Sequence, residues 1–384
     1  MQKVLVAGIG ITKFGEHWEK SLRELAVEAS LQAINDAGID KNKIDALWIG
    51  NMSSGRFIGQ EHLGALIAGE LGLNVPSTRI EAACASGGLA IRHAYLSILS
   101  GKIDCALVIG VEKMTDLPTE EATITLATAS DQEWEAYYGV TFPGLYAMIA
   151  KRHMHDFGTT REQLALVAVK NHEHASLNPI AQFRNKITVE DVLSSSPVAE
   201  PLNLLDCSPI TDGAAAILLC RENFVKVEKP VYLVASGHAV DTIALHERKS
   251  LTELKATKLA AKMAYEEAKI KPKEIDIAEV HDCFTIAEII AYEDLGFCEK
   301  GEGGKLIEQG ETRLNGSIPV NTSGGLKACG HPVGATGVKQ AVEVVLQLRE
   351  EAGKRQVKHA QRALTHNVGG SGATCVVHIW EKGF

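Results

Sequence analysis

The chain has 384 residues, 45% hydrophobic and 23% charged, enough for two or three domains around a large buried core. A formal charge of −9 with no Lys/Arg block argues against a nucleic-acid partner, and no apolar run reaches the roughly 20 residues of a membrane-spanning helix. The eight cysteines are scattered singly without a CxxC pair, which argues against a disulfide framework or zinc ribbon and for a reducing, cytoplasmic setting.

MQKVLVAGIGI at the N-terminus reads as a strand, because no small-residue cleavage site follows it. Residues 26–48 then read as a helix, a polar turn and an apolar strand, and residues 257–279 repeat them. Aligning Ile39 with Ile270 also aligns Ile44 with Ile275 and Asp45 with Asp276. A strand precedes each copy (3–10 and 230–237), and the halves end alike in DGAAAILLC (212–220) and GSGATCVVHI (370–379). The simplest reading is a duplicated α/β protein with halves at 1–225 and 226–384. The apolar run CALVIGV (105–111) predicts a strand buried on both faces.

An insertion at about 112–205 separates the last two strands of the first half. Helical patterning in REQLALVAVKNHEHAS (161–176) marks it as a folded excursion of the kind that walls a site. Within it, His153 with His155 and His172 with His174 read as solvated helix faces, and EDVLSSSPVAEP (190–201) as a loop.

Four segments pair reactive side chains with glycine. In RIEAACASGGLAIRHAYLSI (79–98), Cys84 stands before an Ala/Gly-rich helix, whose N-terminus would lower a thiol pKa. A buried structural cysteine fits the same pattern. AEVHDCF (278–284) brings His281, Asp282 and Cys283 to a strand end; no CxxC or HxxxH completes a metal site there. In SGGLKACGHPVGATG (323–337), His331 and Pro332 precede a helix, and no GK[ST] makes this a Walker A loop. In LTHNVGGSG (364–372), His366 and Asn367 precede three glycines whose N–H groups could form an oxyanion hole. GIGITKFG (8–15) lacks the spacing of a dinucleotide fold.

Together, GHPVGATG (330–337), HDCF (281–284) and ACASGG (83–88) resemble the thiolase superfamily, over essentially the whole chain. The resemblance is closest to the sterol-carrier-protein-type and archaeal acetyl-CoA acetyltransferases. It implies βαβαβαββ halves stacked as a five-layered αβαβα sandwich with an inserted loop domain. It also implies Cys84 as nucleophile, His331 as its base and Cys283 as a second acid/base. His281 and His366 would polarise the thioester carbonyl, while Ser208, Phe284, Gly369 and Gly370 would lie against the substrate. Better-known thiolases carry Asn-Glu-Ala-Phe in place of HDCF. They place their second catalytic cysteine in the last glycine-rich loop, where this chain has His366.

The resemblance further implies condensation of two acetyl-CoA to acetoacetyl-CoA, or the reverse, within the mevalonate pathway. Coenzyme A thioesters would be substrates, with no metal or other cofactor. It implies a homodimer or dimer of dimers, and an assembly with an HMG-CoA synthase and a small zinc-ribbon/OB-fold protein. A thiolase degrading longer 3-ketoacyl-CoA and a non-catalytic scaffold subunit remain as rivals. A decarboxylating ketoacyl synthase would have no need of Cys283.

Overall fold

The computed structural model describes residues 3–384. Its first half runs β1 (Val4–Ile11), α1 (Leu22–Ala37), β2 (Ala46–Gly50), α2 (Ser54–Phe57), α3 (Leu63–Leu71), β3 (Ser77–Ile80), α4 (Ser86–Leu99) and β4 (Cys105–Glu112). The excursion that follows holds α5 (Thr119–Ala127), α6 (Phe142–Phe157), α7 (Arg161–Ser176), α8 (Val189–Ser194), β5 (Pro197–Ala199) and β6 (Leu202–Asn203), before β7 (Gly213–Arg221). The second half runs β8 (Val231–Val240), α9 (Lys255–Ala268), β9 (Ile277–Glu279), α10 (Thr285–Asp294), α11 (Gly303–Glu308) and α12 (Gly325–Cys329). It ends with α13 (Thr336–Leu348), β10 (Arg362–Gly369) and β11 (Thr374–Lys382).

The repeated Ile-Asp does the same work in both halves. Ile44 and Ile275 are buried beside the turns that end α1 and α9. Asp45 accepts the backbone N–H groups of Asp104 and Cys105 at the start of β4. Asp276 accepts those of Gln361 and Arg362 at the start of β10. Each carboxylate thereby satisfies two donors that the sheet leaves open, and sets where the next strand enters.

The strands run in the order β3-β2-β4-β7-β1-β8-β11-β10-β9. The two half-sheets join where Val4, Leu5 and Val6 of β1 pair antiparallel with Leu233, Tyr232 and Val231 of β8. Between them lie α4 and α13, whose Ile91, Tyr95, Val338 and Val345 share one core with Val108, Ile217, Ala363 and Trp380. Leu25, Ala29 and Ile67 of α1 and α3 cover the far face of the first half-sheet. Ala260 and Ala264 of α9 cover the far face of the second. The result is the five-layered αβαβα arrangement.

The halves are not equal. The first has five strands in the sheet and the second four, because the counterpart of β3 shrinks to one parallel bridge between Ala278 and Val320. Pro319 has no N–H to give a ladder and Asn321 takes a left-handed φ of 55°, so pairing stops there.

Two readings of the insertion need correcting. The stretch 190–201 is not a loop: a capping box between Thr188 and Asp191 starts α8, and Pro197–Ala199 form β5. The paired histidines are not solvated, except His155. His153 is buried between Thr159 and Glu293, His172 bonds to the Asn185 carbonyl, and His174 bonds to the Asn321 carbonyl. Both helices are covered by the second half, so the faces that carry these rings point inward.

Candidate active site

Cys84 lies on the turn between β3 and α4. Ser86 shapes that turn, its Oγ accepting from Ala82 N–H at 2.9 Å and donating to the Ala83 carbonyl at 2.6 Å. Burial pushes the Cys84 thiol up to about 12, with Glu112 adding to the rise, while the Gly370 N–H partly opposes it. The expected lowering by the helix terminus is therefore outweighed. The thiol is 9% exposed, and loss of water costs a thiolate more than one helix end returns.

His331 precedes α13, with its Nδ1 2.7 Å from Thr336 Oγ1. Thr336 spends its own hydrogen on the Pro332 carbonyl, so His331 carries its hydrogen on Nδ1 and keeps a lone pair on Nε2. Burial brings this imidazole down to about 3. Cys84 and His331 thus rest as a neutral thiol and a neutral imidazole, not as an ion pair.

The HDCF turn leaves β9 with alternating directions. Cys283 lines the cavity, His281 packs beside Cys84 and His331, and Asp282 faces away, accepting from Leu326 and Lys327 N–H and from Asn171 Nδ2. Burial and the nearby Glu288 raise Asp282 to about 7. His281 packs edge-on to His331, with ring centroids 5.1 Å apart. One atom each of Cys84, His281 and His331 lies within 4.8 Å of the others.

Asn367 fixes the orientation of His281. Its Oδ1 accepts from Gly88 N–H at 3.0 Å and its Nδ2 donates to the Cys84 carbonyl at 2.9 Å, which settles which end of the amide is which. The same Nδ2 reaches His281 Nδ1 at 3.4 Å. The His281 hydrogen therefore sits on Nε2, a buried atom with no partner in the protein. It is a buried donor on a ring clustered with the Cys84 thiol and His331.

Cys283 shares a cavity of about 220 Å³ with Cys84, His331, Ser208, Phe284 and Gly370. Burial pushes its thiol well above the usual range. Ser208 N–H donates to the Cys283 carbonyl at 3.0 Å, and Cys207 bridges to Phe284, so the Ser208 segment is tied to the HDCF turn. Gly370, at φ 62°, gives its N–H to Cys84, a backbone shape that only glycine adopts cheaply.

Two expected residues lie elsewhere. His366 does not face the cavity: its Nε2 is 2.9 Å from Thr257 Oγ1 and its Nδ1 accepts from the His281 N–H at 3.4 Å. Both nitrogens are spoken for, so His366 cannot polarise a carbonyl; it holds the His281 backbone from behind. Strand alternation explains the shift, since neighbours on β10 point to opposite faces and Asn367 takes the inward place. Gly369 packs against the turn before Cys84, where a Cβ would stand 2.4 Å from the Ala82 carbonyl, and does not line the cavity.

With this geometry in view, the family assignment follows from comparison. Residues 4–223 match the family described as "Thiolase, N-terminal domain", and residues 237–382 match "Thiolase C-terminal domain-like". The chain belongs to the thiolase family. It is 57% identical to the acetyl-CoA acetyltransferase of Methanothermobacter thermautotrophicus over 100% of both chains. It is 52% identical to that of Methanocaldococcus jannaschii, over 99% of both. Among solved structures, the Ltp2-ChsH2(DUF35) aldolase superposes with a TM-score of 0.86 at 25% identity, covering 99% of this chain and 98% of the other.

The thiolase motifs thus meet at one cavity, joined by two residues that the motifs did not mark. Asn367 stood beside His366 in the last glycine-rich segment, and only the two-residue period of its strand marks it as the inward one. Tyr146, on α6 of the insertion, also lines the cavity, and no local pattern in its sequence announced it.

Proposed function

We propose that this chain is an acetyl-CoA C-acetyltransferase that condenses two acetyl-CoA into acetoacetyl-CoA and CoA, and runs the reverse thiolysis. One observation carries the reading. Two thiols and an imidazole lone pair meet at one cavity, with a buried, unpartnered imidazole N–H clustered beside Cys84 and His331, which is the set a Claisen condensation requires.

Cys84 attacks the acetyl thioester while its proton passes to His331 Nε2. The carbonyl oxygen gains negative charge facing His281 Nε2–H. Collapse expels CoA, which leaves with the proton from His331. Acetyl-Cys84 remains. Cys283, as thiolate, then takes an α-proton from a second acetyl-CoA. The resulting enolate attacks the acetyl carbon, forming the carbon–carbon bond and expelling the Cys84 thiolate, which takes up from water a proton equal to the one that Cys283 released on ionising. The reaction so written uses coenzyme A thioesters as substrates and calls on no metal, flavin or nucleotide. His366 acts through His281, and Ser208, Phe284 and Gly370 surround the substrate.

The relatives named as acetyl-CoA acetyltransferases support an acetyl substrate. The proposal extends to a homodimer or dimer of dimers in the cytoplasm, serving the mevalonate pathway. No helix among the described residues is long and apolar enough to cross a membrane. An assembly with an HMG-CoA synthase and a small zinc-ribbon/OB-fold protein is part of the proposal. The DUF35 component in the name of the aldolase supports a small protein partner. Product identification with acetyl-CoA alone, and with acetoacetyl-CoA plus CoA, tests the activity. Absence of turnover in both directions would refute it.

A further inference from the structure

We propose that Tyr146 is the positioning residue that makes Cys283 a competent base, its hydroxyl turning between the Gly370 carbonyl and the Cys283 sulfur. The proposal rests on the reading of Cys283 as the second acid/base.

Tyr146 comes from the inserted region, far in sequence from every thiolase motif named above. Its phenol is 1% exposed and donates to the Gly370 carbonyl at 3.2 Å. Its ring stacks on Phe284, the residue after Cys283, with centroids 4.7 Å apart. Tyr146 and Cys283 thereby line the same cavity, and each side chain acts on the acidity of the other. The Gly370 peptide therefore faces both halves of the chemistry: its N–H meets Cys84 and its carbonyl meets Tyr146.

A thiolate at Cys283 is opposed by burial and by the nearby Cys84 and Asp282, so it forms only where donors meet it. The Phe284 backbone supplies one, and the Tyr146 O–H supplies the second. While Cys283 is a thiol, the phenol hydrogen points to the Gly370 carbonyl. Ionisation of Cys283 releases a proton to water, and the phenol hydrogen turns to the sulfur. When the thiolate takes the α-proton, the C–H bond breaks, an S–H bond forms and the electron pair passes into the enolate. The phenol then returns to Gly370, with Tyr146 neither losing nor gaining a proton. A purely structural tyrosine would pin the 369–372 turn and leave the acidity of Cys283 unchanged.

Tyr146→Phe removes only the hydroxyl. The expected variant forms acetyl-Cys84 as the wild type does but condenses roughly ten- to hundredfold more slowly, the worth of one hydrogen bond to a charged group. Its condensation rate rises only at higher pH. A second measurement does not depend on turnover: in a Cys84→Ala background, adding Tyr146→Phe shifts the alkylation of Cys283 by iodoacetamide to higher pH. An unchanged alkylation profile, or a loss of condensation without a pH shift, overturns the proposal. Failure of the wild type to make acetoacetyl-CoA would instead refute the thiolase reading, and the Cys283 titration would still report on Tyr146.

Discussion

Asn367→Ala is the sharpest test of how the site is held. In an uninterrupted helix the Gly88 N–H would bond the Cys84 carbonyl four residues earlier. Here the Asn367 amide is spliced between them, accepting from one at 3.0 Å and donating to the other at 2.9 Å. Truncation leaves a buried donor and a buried acceptor unpaired, at about 1–3 kcal/mol each, and partial closure of the turn recovers some of this. Stability should fall by about 2–4 kcal/mol in urea unfolding. Truncation also removes the donor that fixes the His281 tautomer, so Nε2 no longer presents its hydrogen reliably. Loss of one oxyanion donor costs roughly 10²–10³ in kcat. Thiolysis of acetoacetyl-CoA should fall by that factor. A variant of wild-type stability whose rate stays within about threefold of the wild type would refute this account of Asn367.

Alkylation of Cys84 in the free enzyme should climb about tenfold per pH unit from pH 7 to 9 without a plateau, because the thiol sits at about 12; a plateau with a midpoint below pH 7 would show an ion pair with His331. Acid should destabilise the fold. His174, His331, His366 and His378 sit at about 3 and His172 at about 4, so between the ordinary 6.5 and these values the unfolded chain binds more protons. Glu112 and Asp282 at about 7 and Asp294 at about 6 act in the opposite direction, an opposition that fades below the ordinary carboxylate values of 4.5 and 3.8. Urea midpoints should therefore fall from pH 6 to pH 4, most steeply at the acid end; equal midpoints would contradict this. Gly337→Ala would place a Cβ 2.2 Å from Gly88 N and 2.3 Å from Asn367 Oδ1, so α13 must shift from α4. Unfolding should become easier by roughly 1–3 kcal/mol, with a loss of activity alongside.

The duplicated plan was readable because its signals are local and repeated. The aligned Ile-Asp pairs and long apolar runs mark β2, β4, β9 and their helices directly. Cys84, His281, Cys283 and His331 stood out in the sequence because each sits at a glycine-rich turn or a strand end, and the structure brings them close together. The misassignments came from information that lies outside a local window. His366 and Asn367 are adjacent, and only the pairing of β10 with β9 and β11 decides which one faces inward. The histidines of α6 and α7 look solvated until the second half closes over them, with Glu293 and Asn321 arriving from far along the chain. Cys84 seemed destined for a low pKa from its helix alone, yet its burial depends on the Gly370 loop and Val333, hundreds of residues away.

The central claim is that Cys84 and Cys283 divide the reaction, one holding the acyl group and the other moving the α-proton. Intact-mass spectrometry of Cys283→Ala after brief exposure to acetyl-CoA, run beside its condensation rate, addresses this directly. The account predicts full acetylation at Cys84, because His331 and His281 are untouched, with condensation down by roughly 10²–10⁴, the usual cost of losing a general acid/base. Condensation by Cys283→Ala at the wild-type rate, or a failure of Cys84 to acetylate in the wild type, would contradict it.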